Sequence, residues 1–180
     1  TSADVKAETD VCCTSANAVK VVESLKADKV IFLPDQHLAN YVAKQTKVKI
    51  ISWKGSCIVH EQFSPKEIQD IRKANPGIKV IGHPECPSDV LDACDFAGST
   101  GGMIDYVKKN QPKQVMLVTE CSMSDNVQAD NPNVEFIKPC NLCPYMKKIT
   151  LKKILDCLEN EKNEIFIEEK MAKAARQSVQ

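Results

Sequence analysis

The sequence repeats itself. Moving it by 85 places (90 minus 5) lays Val5 on Val90, Asp10 on Asp95, Thr14 on Ser99, Ser15 on Thr100 and Asp35 on Glu120. One place more, 86 (143 minus 57), lays Val48 on Val134 and Cys57 on Cys143. Two similar supersecondary units therefore follow one another. Each offers a Ser/Thr pair, a strand ending in Pro34-Asp35 or Thr119-Glu120, a helix, a second strand and a cysteine beyond it. Chance likeness between two α/β units would explain the apolar matches, but the hydroxyls and cysteines at nearly one offset need a common plan.

Five short β-rich runs read as buried strands: Val30 to Leu33, Lys49 to Ser52, Lys79 to Gly82, Val115 to Val118 and Val134 to Ile137. Helical spacing fills the stretches 15–27, 35–45, 65–74, 100–110 and 121–129. Alternating strands and helices predict an α/β fold of repeated three-layer units with short parallel sheets. The second unit opens with a strand at Ile78 to Ile81, and by the same offset its counterpart in the first unit falls before Thr1. The chain is thus expected to begin inside a unit, as a cut portion of a longer protein. Beyond Cys143 the pattern changes to helices at Ile149 to Leu158 and Glu168 to Ala175 around a short strand at Glu164 to Ile167, matching neither unit.

Twenty-four basic residues cancel twenty-four acidic ones, so no net field attracts a nucleic acid. No apolar stretch reaches the ~20 residues that span a bilayer, and the start lacks the basic and apolar regions of an export signal. A cytoplasmic protein with neither nucleic-acid nor membrane partners is expected. Nine cysteines in 180 residues then point to a metal or redox site rather than a disulfide framework, although most are expected to be small buried hydrophobes.

Cys140-Asn141-Leu142-Cys143-Pro144 follows a strand, and a cysteine followed by proline is frequent among iron–sulfur ligands. Two other readings stand beside it. A strand, C-x-x-C and a helix also fit a thiol–disulfide redox module, and a zinc-binding domain is the further alternative, weakened by the lack of a second C-x-x-C. Cys57 follows Gly55 beyond a strand and by itself reads as packing. Its repeat relation to Cys143 changes this, because equivalent cysteines of pseudosymmetric units converge on the shared axis.

Thr14-Ser15 and Gly98-Ser99-Thr100-Gly101-Gly102 are read as opening helices, where free N–H groups and a hydroxyl suit a phosphate or carboxylate. Ordinary N-capping is the plainer account. His83-Pro84-Glu85 ends a strand, where open α/β sheets bind ligands, and alternation in an extended segment would aim both side chains one way. That pair suits acid–base work. Asp35, His37, His60 and Glu61 also lie near strand ends and are read as structural or surface groups.

Together these residues resemble the quinolinate synthase family over essentially the whole chain. The resemblance rests on Thr1 to Ala7, Thr14 to Ala18, Pro34-Asp35, Gly55 to His60, His83 to Cys86, Ser99 to Met103 and Cys143 to Met146, in that order and spacing. It implies three homologous α/β domains in pseudo-threefold arrangement around a [4Fe-4S] cluster held by one cysteine from each, with one iron open to substrate. On this reading the chain is a C-terminal portion lacking roughly the first third. Residues 1–60 are the second unit without its first strand, 61–145 the third, and 146–180 complete the mostly absent first.

The resemblance further implies Cys57 and Cys143 as cluster ligands, and Ser15, His83, Glu85 and Thr100 as contacts to the substrates. Glu85 and His83 are the implied catalytic pair. The implied enzyme condenses iminoaspartate with dihydroxyacetone phosphate to give quinolinate, phosphate and water for NAD biosynthesis, with the L-aspartate oxidase that supplies iminoaspartate as partner. Some relatives carry a further cysteine where this chain has Ile137, which leaves any redox role of Cys140 without that second thiol.

Overall fold

A strand that must run parallel to its predecessor needs a long crossover, and here helices supply it. The computed structural model describes residues 1–139 and 141–179. In chain order its elements are α1 (Ala3–Ala7), α2 (Ala18–Ser24), β1 (Lys29–Phe32), α3 (Gln36–Ala43), β2 (Lys49–Ser52), α4 (Pro65–Ala74), β3 (Lys79–Gly82), α5 (Ser88–Asp92), β4 (Phe96–Ala97), α6 (Thr100–Asn110), β5 (Gln114–Val118), α7 (Cys121–Asp130), β6 (Glu135–Phe136), α8 (Leu151–Asn160) and α9 (Glu169–Gln177). Single 3-10 turns lie at His60–Gln62 and Met146–Lys148. The strands form two sheets, one ordered β1-β2 and one ordered β4-β3-β5-β6, and every pairing is parallel. The α/β class expected from the sequence is what the chain adopts.

The repeat survives as structure. Lys29 and Gln114, which open β1 and β5, are 85 places apart (114 minus 29), and Lys49 and Glu135, which open β2 and β6, are 86 apart (135 minus 49). α1, α2 and α3 likewise precede α5, α6 and α7 by nearly the same offset. Sequence periodicity overlooked α1, α5 and β4 because five- and two-residue elements are too short to display a period.

The chain divides into two compact units, Thr14–Leu142 and the pair Thr1–Cys13 with the chain from Cys143 onward. In the larger unit Ile81, Val115 and Leu117 of the four-stranded sheet pack with Met103 and Val107 of α6 and Val127 of α7. Val80 and Met116 alternate to the opposite face and are equally buried. The two-stranded sheet is less covered. Ile31, the repeat counterpart of Met116, is 69% exposed where Met116 is 0% exposed. Leaving such a side chain in water forgoes about 1.5–3 kcal/mol.

In the smaller unit α1 packs against α9, and the Cys12 N–H donates to the Ser178 carbonyl at 2.6 Å. α8, capped by the Thr150 hydroxyl, carries Leu151, Ile154, Leu155 and Leu158 as an i, i+3, i+4, i+7 stripe, and all four are exposed. The strand expected at Glu164 to Ile167 does not form. A lone extended segment has nowhere to place its backbone hydrogen bonds, and no neighbouring strand reaches it among the described residues.

In the larger unit Asp95 ties α4 and the segment before β4 to strand β3. Its Oδ2 accepts from the Val80 N–H and from Arg72 Nη2, both at 2.8 Å, and Arg72 also donates to the carbonyls of Ile78 and Ala93. Burial alone would raise the carboxyl, but the Val80 N–H and Arg72 outweigh it and hold Asp95 below the usual value. A depressed carboxylate stabilises the fold above its unfolded value of ~3.9 and loses that contribution as pH falls through the lower folded value. Asp95→Ala should therefore cost about 1–3 kcal/mol at neutral pH, measured by urea unfolding, and the variant should lose less stability than the parent as pH falls below about 4.

Candidate active site

Parallel strands of one unit deliver their carboxyl ends to the same side, and the chain places its polar residues there. β1 leads into Asp35, β2 into Cys57 and His60, β3 into His83 and Glu85, and β5 into Thr119. Asp35 is a buried carboxylate with two backbone partners. Oδ1 accepts from Leu38 N–H at 2.7 Å, capping α3, and Oδ2 accepts from Cys57 N–H at 3.1 Å. The Gln36 N–H donates to the Gly55 carbonyl at 2.8 Å, and a side chain at Gly55 would strike the Pro34 carbonyl. Glycine is thus required where the Cys57 loop closes on β1.

His60 is the residue that binds the group together. It is only 6% exposed, which agrees with the structural half of the sequence expectation and overturns the surface half. Its Nε2 lies 3.0 Å from Thr119 Oγ1, and its Nδ1 lies 3.2 Å from Glu85 Oε2 without the alignment of a hydrogen bond. The His60 ring stacks on His83 with centroids 4.7 Å apart and planes 7° from parallel. Sγ of Cys57, a ring nitrogen of His60 and a carboxylate oxygen of Glu85 all lie within 4.8 Å of one another. The C-x-x-H spacing from Cys57 to His60, across one turn, was the available sequence signal for this contact.

The electrostatics follow from this crowding. Burial alone would lower His60, but Cys57 and Glu85 outweigh it and raise its pKa to about 9. Burial lowers His83, and the adjacent His60 charge lowers it further, to about 4. Two stacked imidazoles share one positive charge, and His60 holds it. The close approach of the charged His60 ring in turn draws the Cys57 thiol and the Glu85 carboxyl below their usual values. Asp35 goes the other way, pushed up by burial.

His83 and Glu85 do meet, with Nδ1 and Oε2 3.9 Å apart, but they do so across a turn rather than an extended segment. The Glu85 backbone N–H donates to His83 Nδ1 at 3.3 Å, so the proton of the neutral ring sits on Nε2. His83 Nε2 lies 3.4 Å from Ser15 Oγ and donates to it, leaving the Ser15 hydroxyl hydrogen available for an acceptor. Ser15 itself does not open a helix. It lies in a turn, and α2 begins at Ala18 after Asn17.

Ser15, Cys57, His83 and Glu85 are thus brought together, with His60 at their centre. Thr100 is exposed at the first residue of α6, where Ser99 provides the cap, and no hydrogen bond joins it to the group among the described residues. Cys143 is half-buried in the smaller unit. The Cys140 part of the redox-pair reading lies outside the described residues. No helix among those residues is long and apolar enough to cross a membrane.

The family model for the Quinolinate synthetase A protein matches residues 1–180. A quinolinate synthase of Sinorhizobium fredii is 57% identical over all 180 residues, which cover 50% of that protein. Quinolinate synthases of Xylella fastidiosa and Caulobacter vibrioides are 56% and 55% identical, again across the whole chain and across 53% and 50% of their own lengths. The chain spans about half the length of the curated relatives it matches.

Proposed function

The chain belongs to the quinolinate synthase family, and on that premise we propose that it supplies much of the active site of an enzyme condensing iminoaspartate with dihydroxyacetone phosphate to quinolinate, phosphate and two waters. The observation that carries this reading is the convergence of Cys57, His60, His83, Glu85 and Ser15 at the carboxyl ends of the strands of one unit. Iminoaspartate would come from an L-aspartate oxidase, and the reaction would take place in the cytoplasm.

The proposed cofactor is a [4Fe-4S] cluster with one iron open to substrate. Cys57 suits a ligand of such a cluster, since its thiol is half-buried, drawn toward the thiolate by His60 and held by its backbone to Asp35. Cys143, its repeat counterpart, is the second ligand on this chain, and the third would come from the part of a full-length relative that the chain does not span. When bound, the cluster supplies a Lewis acid for the loss of water.

The chain's own residues handle charge and protons. Ser15, its Oγ receiving a hydrogen bond from His83 Nε2, donates its hydroxyl hydrogen to a substrate carboxylate or phosphate oxygen. Thr100 supplies the same class of contact at the start of α6, with the helix N-terminus behind it. Glu85, kept ionised by His60, accepts a proton at its carboxylate, and His60 Nδ1 beside it returns one to a departing hydroxyl. Neutral His83 holds its ring against His60 and keeps that pair oriented.

The bare stripe on α8 and the bare face at Ile31 support reading the two ends of the chain as parts of units completed elsewhere in a pseudo-threefold enzyme. Accordingly the 180-residue chain alone should form no quinolinate after anaerobic reconstitution with iron and sulfide, whereas a full-length protein carrying these residues should. Turnover by the isolated chain at the full-length rate, or a full-length protein with cluster but without turnover, would each refute the corresponding half of this statement.

A further inference from the structure

We infer that Cys57, His60 and Glu85 form a mononuclear site for a thiophilic divalent cation of the zinc class, separate in chemistry from an iron–sulfur cluster. The donors are a sulfur, an imidazole nitrogen and a carboxylate oxygen, all within 4.8 Å of one another. That set is a zinc set, with metal–ligand distances of about 2.3, 2.0–2.1 and 2.0–2.2 Å respectively. Tetrahedral ligands at those distances stand about 3.3–3.8 Å apart, so side-chain torsions need to close the three by only about 1 Å.

Two features mark the site as built for a cation. His60 is 6% exposed, and its Nδ1 faces the Glu85 carboxylate at 3.2 Å as an ion pair with no aligned hydrogen bond, so a cation that displaces the ring proton meets the same carboxylate. The ring cannot turn away to satisfy that nitrogen, because Nε2 is tied to Thr119 Oγ1 at 3.0 Å and one face is covered by His83. An outer partner fixing the second nitrogen is how metal-binding histidines are oriented. The Cys57 backbone is fixed in its turn by Asp35. With three protein ligands, the fourth position stays open to water or to a carboxylate, the pattern of reactive rather than structural zinc sites.

The Cys57 thiolate also serves the proposed cluster, so the two occupancies exclude one another. A chain that has captured zinc at this point would be unable to accept a cluster through Cys57. This gives a full-length enzyme of this type a specific route to inactivation by excess zinc.

The test uses the metal-stripped 180-residue chain under anaerobic reducing conditions, titrated with zinc or cobalt(II) alone, with neither iron nor sulfide present. One equivalent should bind, and cobalt should show a thiolate charge-transfer band. Cys57→Ser, His60→Ala and Glu85→Gln should each weaken binding about a hundredfold or more, and Thr119→Val about tenfold. Cys140→Ser, which breaks the C-x-x-C hook, should leave the equivalent in place. Glu85→Gln preserves shape, so thermal unfolding by circular dichroism separates loss of a ligand from loss of fold. Parental affinity in folded Glu85→Gln or His60→Ala, or loss of the equivalent in Cys140→Ser, overturns the assignment. Because no iron or sulfide is used, that failure leaves the cluster reading untouched, and a full-length protein that takes up zinc here but never iron would sink the cluster alone.

Discussion

In a full-length protein carrying these residues, Cys57→Ser or Cys143→Ser is expected to abolish bound iron and, with it, quinolinate formation. A serine oxygen is a hard and weakly acidic ligand, a poor substitute for a soft thiolate on iron. At Cys57 the loss is compounded, because the His60 contact that favours the thiolate has no thiolate left to serve. Two other cysteines supply the contrast. Cys94 donates its S–H to the Val90 carbonyl at 3.2 Å and is pushed up by burial, the state of an inert core thiol. Cys157 makes a local bond to the Lys162 carbonyl in the smaller unit. Serine at either position should leave iron content unchanged and cost at most about 1 kcal/mol or so of stability. Iron and sulfide assays on the four purified variants decide the matter, and normal iron in either of the first two would refute the ligand assignment.

Glu85→Gln in the same full-length protein should lower kcat by about a hundredfold to ten-thousandfold while leaving the cluster in place. The substitution keeps the shape of the side chain and removes its charge. His60 then loses one of the two partners that raise it, and no carboxylate remains at 3.2 Å to accept a proton. Iron content must be measured on the same sample, since it separates this effect from that of a lost ligand. Turnover within about fivefold of the parent, with full iron content, would remove Glu85 from the chemistry.

Much of the fold was legible in the chain. β1, β2, β3 and β5 lie within a residue of the expected runs because each is a β-branched stretch bounded by a Pro, Gly or charged residue, and both sides of a parallel sheet want such residues. α4 begins at Pro65, as its pattern indicates, behind a capping box in which Ser64 and Glu67 satisfy each other's backbone N–H groups. The strand expected at Glu164 to Ile167 failed for a complementary reason. Its residues favour extended structure, but a strand exists only through a neighbour, and composition cannot supply one.

The site divides along the same line. Sequence alone determined the repeat, the α/β class and the chemical types present at the strand ends, whereas His83 and Glu85, expected to meet through extended alternation, meet across a turn. His60 required the tertiary structure. Nothing within a few residues of it, apart from Cys57, distinguishes it from His37. Its role comes from Thr119 and Glu85, which are 59 (119 minus 60) and 25 (85 minus 60) places away. Only the folding of two parallel sheets with their carboxyl ends together brings those residues within 3.2 Å. Burial there turns an ordinary histidine, glutamate and cysteine into one coupled group, because charges removed from water respond to each other far more strongly than to solvent.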